Sequence, residues 1–175
     1  MTGMLPLFGV EPHKSAVLSP CGTYRYELTR RWSRQPVVGW VMLNPSTADA
    51  DIDDPTVRRC IGFAKSWGFG GIVIRNLFAL RATDPAELVR HPDPIGPDND
   101  THLSHCDHED MTMLAWGAHG GQRGREVLEL LARQGIRPYQ LATTIDGQPR
   151  HPLYLSAGLV PQEIPTRGSA LRRSR

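Results

Sequence analysis

The side chains best suited to chemistry fall in polar segments that follow apolar runs. Asn44, Pro45, Ser46 and Thr47 end the near-continuous run 37–43, Asn76 and Phe78 close the run 72–78, and a turn-rich stretch over 143–154 carries Arg150, His151, Leu153 and Tyr154. An asparagine offers a donor and an acceptor, enough to orient a water or read a base edge, but it cannot accept a proton as a carboxylate does. Asn44 also reads as a strand-terminating Asn-Pro turn, and Asn76 carries the same two readings. A buried asparagine must find partners in backbone or ligand. His151, between Arg150 and Pro152, can donate to an oxygen that gains negative charge in a transition state, or it is a solvent-facing loop histidine.

Other clusters invite chemistry and fit it less well. Asp49, Asp51, Asp53 and Asp54 resemble a calcium loop, but the EF-hand glycine position is Asp54 and its bidentate glutamate position is Cys60. Asp54 before Pro55 reads instead as a helix cap, with a Mg²⁺-dependent hydrolase as the metal alternative. His102, His105, Cys106 and His108 crowd one turn-rich stretch and cannot all face one zinc ion. No metal or cofactor is expected. Trp116, Gly117 and His119 open a glycine run to Gly124 that precedes a helix and can cradle a phosphate through backbone N–H groups. It matches neither the P-loop nor the dinucleotide fingerprint, which disfavours nucleotide-triphosphate hydrolysis.

The positioning elements follow from periodicity. Apolar runs at 37–43, 72–78, 111–116 and 136–142 read as buried parallel strands. Runs 16–18 and 24–32, around Ser19-Pro-Cys-Gly22, read as an antiparallel hairpin at a sheet edge. Helices are expected from Pro55 to about Trp67, from Thr83 through Leu88, from Gly96 toward His105 and from Arg123 to Gln134. This order predicts a three-layer α/β/α sandwich with a mainly parallel four-stranded central sheet and an antiparallel edge hairpin. Ligands of such sheets bind beyond the carboxyl ends of the strands, where Asn44, Asn76 and His151 would meet. One domain is expected over 14–158, with a flexible arm over 1–13 and a flexible basic tail over 159–175.

Composition sets broad bounds. The 175 residues, 39% hydrophobic, are enough for one core without metal or disulfide support. The net charge of +2 depends on Arg167, Arg172, Arg173 and Arg175, and the rest of the chain sums to −2, so charge alone argues neither for nor against nucleic acid. Cys21, Cys60 and Cys106 are odd in number and lack C-x-x-C spacing, which fits a reducing cytoplasm. No apolar run approaches the roughly 20 residues of a membrane span, and a monomer is expected.

Ser19-Pro-Cys-Gly-Thr-Tyr-Arg-Tyr26, Met42-Leu-Asn-Pro-Ser-Thr-Ala-Asp49, Asp54-Pro-Thr-Val-Arg-Arg-Cys60, Asn76-Leu-Phe-Ala79, Trp116-Gly-Ala-His-Gly120 and Asp146-Gly-Gln-Pro-Arg-His-Pro-Leu-Tyr154 resemble domain of unknown function family 1643, from about Ala16 to Leu155. The same segments are similar, in shorter pieces, to motifs of the uracil-DNA glycosylase superfamily. Met42-Leu-Asn-Pro45 resembles its first motif, in which the archetypal members carry Asp-Pro and mismatch-specific members Asn-Pro. Ile74-Arg-Asn-Leu77 resembles the strand whose asparagine reads the base edge. Leu114-Ala-Trp-Gly117 resembles the strand leading to the last motif, and His151-Pro-Leu-Tyr154 its histidine loop, with Leu153 where serine is usual.

The resemblance implies a DNA glycosylase-like hydrolase that cleaves the N-glycosidic bond of a modified or mismatched base, in DNA foremost or in a nucleotide. Asn44 would position water, His151 would stabilise the departing base and Asn76 would select its edge. Phe78 would be a stacking wall, and Leu153 or Leu155 would fill the vacated stack. Pro45, Ser46, Thr47, Trp116, Gly117, His119, Arg150 and Tyr154 would complete the substrate site. The amide at Asn44 favours the alternative, a non-catalytic nucleic-acid or nucleotide-binding module of the same fold.

Overall fold

The computed structural model describes residues 12–46 and 51–165, which form one mixed seven-stranded sheet and four α-helices. β1 (His13–Leu18) and β2 (Arg25–Arg31) make the antiparallel hairpin. β3 (Val37–Met42), α1 (Pro55–Ser66) and β4 (Gly71–Asn76) follow as a strand–helix–strand unit with parallel strands. After α2 (Ala86–Arg90) and α3 (Asn99–Leu103) come β5 (Met111–Leu114), α4 (Gly121–Arg133), β6 (Pro138–Gln140) and β7 (Gln162–Glu163). The spatial order is β1-β2-β4-β3-β5-β6-β7, parallel from β4 to β6 and antiparallel at both margins.

Period-2 alternation sorts the strand side chains onto two faces. Val38, Trp40, Met42, Ile72 and Ile74 pack with Val57, Cys60, Phe63 and Ala64 of α1. Val41 and Leu114 pack in a second cluster with Val127 and Leu131 of α4. The helices are punctuated as their sequences dictate. Asp54 Oδ1 accepts from Val57 N–H at 2.7 Å with Pro55 in the first turn, and Trp67 closes α1 before Gly68.

The hairpin joins the sheet at its edge through β2 against β4, as expected of an antiparallel edge hairpin. The sheet differs at the other margin, where β7 extends it although the sequence reads there as solvated tail. Ile164 explains the extension: its N–H donates to Pro138 O at 2.8 Å and its side chain packs on the α4 cluster. A two-residue strand has no periodicity to read. β4, β5 and β6 are also shorter than their apolar runs, ending at Asn76, Leu114 and Gln140. No described helix is long and apolar enough to cross a membrane.

One charged network lies inside the sheet. Arg75 of β4, 4% exposed, meets Glu109 at 2.9 Å and Glu27 at 3.5 Å, and His102 Nδ1 lies 2.7 Å from the same Glu27 oxygen. Burial raises the Glu109 carboxyl above the usual range, against the pull of Arg75. The His and Cys stretch is thereby used: His102 stacks on Tyr26 at 4.8 Å, and the Cys106 thiol, pushed up to about 12 by burial, lies 3.8 Å from Arg75. Removing one member of a buried ion pair leaves an uncompensated charge. Arg75→Leu should therefore cost about 3–5 kcal/mol in urea unfolding, and Arg75→Leu combined with Glu109→Leu should recover most of that loss.

Candidate functional site

The parallel register brings the polar segments to one rim. Met42 stands opposite Asn76 and Val41 opposite Leu114. Pairing runs past the strand ends, with Leu77 N–H on Met42 O at 2.8 Å and Phe78 N–H on Leu43 O at 3.0 Å. The 143–151 loop folds back onto the same rim: Arg150 N–H donates to Ala142 O and Gly117 N–H to Pro149 O, both at 2.8 Å, and Trp116 Nε1 reaches Gln148 Oε1 at 2.9 Å. From α1, Arg59 donates to the carbonyls of Pro152 and Leu155 and clamps the turn after His151.

A cavity of about 360 Å³ opens there, lined by Asn44, Ser46, Asn76, Trp116, Gly117, His119 and His151 among the sequence-predicted residues. Its position beyond the strand ends is the usual one for ligands of open α/β sheets. The remaining predicted residues lie elsewhere. Pro45 is buried and accepts from Ala82 N–H at 3.1 Å, Arg150 is exposed, Leu153 is half-buried and Tyr154 is 87% exposed. Phe78, read as a stacking wall, packs on the cluster of Leu80, Ala82 and Leu88 instead. Leu155 is buried in the α1 core. Thr47 and Asp49 lie outside the described residues.

Asn44 is oriented by the backbone. Its Nδ2 donates to Ala82 O at 2.8 Å and Pro45 O at 3.1 Å. Two carbonyls require the NH₂ end of the amide, so the Oδ1 end is left for the cavity as an acceptor. Asn76 presents the opposite polarity. It is 1% exposed, lines the cavity, and its Nδ2 has no hydrogen-bond partner. Its backbone is held from behind by Asn99 Nδ2, 3.0 Å from both Asn76 O and Leu77 O, and by Arg123 Nε, 3.0 Å from Leu77 O. A buried donor without a partner calls for a ligand acceptor.

His151 completes the set. Its Nδ1 accepts from Leu153 N–H at 3.4 Å, which puts the remaining ring proton on Nε2. Desolvation lowers its pKa despite the nearby Asp54 carboxylate, so the ring is a neutral donor at pH 7. Gly117, at φ +74°, lets the chain pass beside it: an added Cβ would lie 3.7 Å from His151 Cβ and would require a left-handed L-residue. Gly120 makes room for Trp116, since a Cβ there would lie 2.3 Å from Trp116 Nε1.

Two charged residues of the cavity lining, Asp54 and Arg25, are not among the sequence-predicted site residues. Asp54 reads as a helix cap and is one, but its second oxygen accepts from Ser46 Oγ and faces the cavity. Arg25 lies in an alternating hairpin strand with nothing to mark it, yet it is 3% exposed and lines the cavity wall. Asp53 of the same cluster takes Arg30 at 2.7 Å and Lys14 at 3.8 Å. Among the described residues no group of three His, Cys, Asp or Glu side chains could hold a metal ion.

Asn44→Asp would set a carboxylate oxygen against the carbonyls of Ala82 and Pro45 and remove two donations. It should destabilise the fold by about 1–3 kcal/mol in urea titration, while Asn44→Ser should cost less. For His151, the folded-state pKa lies below the unfolded value of 6.5. The unfolded chain then binds the proton first, so stability is fully present above about pH 6.5 and is lost as pH falls through that value toward the folded pKa. Unfolding titrations across this window should show a slope that His151→Asn flattens.

No curated protein and no solved structure matches the chain. The family described as protein of unknown function (DUF1643) matches residues 25–153, a span that begins at Arg25, ends two residues past His151 and contains every described element that shapes the cavity, and the protein belongs to that family.

Proposed function

We propose that the cavity is the base pocket of a glycosylase-like hydrolase that cleaves the N-glycosidic bond of a modified or mismatched base, in DNA or in a nucleotide. The observation that carries this reading is the convergence of Asn44, Asn76 and His151 on one cavity with complementary polarity: an acceptor, an unpartnered donor and a neutral imidazole donor. The resemblance of the same segments to motifs of the uracil-DNA glycosylase superfamily supports it. So does the placement of α1 and α4 against opposite faces of the sheet, which agrees with a three-layer sandwich of that kind.

In this reaction the bond from sugar carbon to base nitrogen breaks, its electron pair leaves with the base, and the sugar gains oxocarbenium character until water adds. Asn76 Nδ2 donates to a carbonyl on the base edge and His151 Nε2–H to the oxygen that gains charge as the base departs. Asn44 Oδ1 accepts a hydrogen of the incoming water and orients it, without taking the proton. Trp116 supplies an aromatic part of the lining. Within duplex DNA the base must be flipped first, at a cost of a few kcal/mol.

One observation favours a second reading. The Asn44 amide already serves two backbone carbonyls, a structural duty that a non-catalytic nucleotide- or nucleic-acid-binding module would keep without turnover.

DNA carrying uracil, mismatched thymine or hypermodified bases, and the corresponding free nucleotides, separate the two. Base release, scored as abasic sites or free base, is expected for one class of substrate. His151→Ala should lower it by about 10²–10⁴-fold, the range of a positioned proton donor. Tight binding with no release from any substrate selects the binding module. Release that survives loss of both the Asn44 and His151 side chains sinks the glycosylase reading.

A further inference from the structure

A second cavity, of about 310 Å³, lies beside the first and is lined by Gly22, Thr23, Ser46, Arg81, Ala82 and Thr83. Ser46 lines both, so the two cavities meet at this residue. The walls of the second are built by stitching three loops together. Arg81 N–H donates to Thr23 O at 3.1 Å, joining the loop after β4 to the hairpin turn, and Ala82 N–H donates to Pro45 O at 3.1 Å, joining it to the loop after β3. The Asn44 amide closes the same seam at Ala82 O.

Among the described residues, the lining has three hydroxyl residues, one guanidinium and no carboxylate. Arg81 is half-buried, and its Nη1 is pinned to Gly22 O at 3.2 Å. Its Nε is buried with no hydrogen-bond partner, and among the described residues no carboxylate lies within ion-pair distance of it. The buried arginines Arg30, Arg75 and Arg123 each have a carboxylate within that distance. A partly desolvated guanidinium held in place without a counter-charge is suited to an exogenous anion, and its fork of donors matches phosphate oxygens.

We infer that this second cavity is a phosphate subsite, so that the ligand of the base pocket carries a phosphate bridging past Ser46 to Arg81, Thr23 and Thr83. This rests on the base-pocket reading above and deepens it: the substrate is a nucleotide unit, not a free base or nucleoside. The charge layout fixes its direction. Asp54, bonded to the Ser46 hydroxyl, marks the junction of the two cavities and would repel a phosphate there, while Arg81 attracts it within the second cavity.

Calorimetric titration of the full chain with deoxyuridine, deoxyuridine 5′-monophosphate, inorganic phosphate and a short single strand containing deoxyuridine tests it. The monophosphate should bind at least about tenfold more tightly than the nucleoside, a typical gain from charge-assisted hydrogen bonds. That gain should vanish in Arg81→Gln, persist in part in Arg81→Lys, and fall several-fold in Thr83→Val, a variant of an exposed residue that keeps the stitched backbone intact. A preference for the monophosphate over the single strand identifies a terminal phosphate, and the reverse identifies a strand phosphodiester. Equal affinity for nucleoside and nucleotide, or a phosphate gain untouched by both Arg81→Gln and Thr83→Val, overturns the subsite. Inorganic phosphate bound through Arg81 without base release from any substrate leaves the subsite standing and removes the glycosylase reading alone.

Discussion

The hydrogen bond from Asn44 Nδ2 to Ala82 O, 2.8 Å long, ties the loop after β3 to the loop after β4, and the site depends on that seam. The parallel register sets Met42 beside Asn76, and backbone pairing carries on to Leu43 and Phe78, but it is this bond that fixes the Asn44 side chain. With it, Ala82 answers through its own N–H to Pro45, the pair of bonds closes a ring, and the Asn44 amide has one orientation. The same ring forms the partition between the two cavities, since Asn44 faces one and Ala82 the other. An amide at position 44 thus does something a carboxylate cannot: it donates to carbonyls while keeping an acceptor toward the cavity.

The environment of that amide also shows where charge resides. The carboxylate of this rim is Asp54, which enters from the start of α1 rather than from a strand end. One of its oxygens is committed to the Val57 N–H and the other to the Ser46 hydroxyl. Its charge is felt by His151, where it opposes the desolvation that keeps the imidazole neutral. The cavity therefore pairs a fixed negative group with a neutral donor and buried Arg25, a mixture that can separate charge across a ligand without a metal ligand set among the described residues.

Much of this was legible in the sequence because it rests on local rules. Continuous apolar runs announced β3, β4 and β5, Asp54-Pro55 announced the start of α1, and the alternation after Gly22 announced the hairpin. The polar residues that end those runs reach one cavity because parallel strands share a direction. What was not legible depends on contacts far apart in sequence. Arg25, Asn99, Arg81 and Arg123 act through backbone carbonyls and cavity walls that no spacing encodes. The course of Phe78 is a related case: β4 ends at Asn76, and the phenyl ring packs on the small cluster of Leu80 and Leu88. Nor does any spacing encode the room that Gly120 gives Trp116.

The order of these contacts explains why the site residues are spread along the chain. A cavity at the end of a parallel sheet gathers one polar segment per strand, and each segment needs its own anchor because its strand has already ended. Asn44 is anchored by Ala82, Asn76 by Asn99 and Arg123, and His151 by Leu153 N–H together with the Arg59 clamp on the following turn. In each case the anchor is a side chain bonded to backbone, or the reverse, and no anchor is shared between the three residues. Loss of one anchor would loosen one corner of the cavity and leave the other two in place, as expected for a site assembled from loops on a rigid sheet.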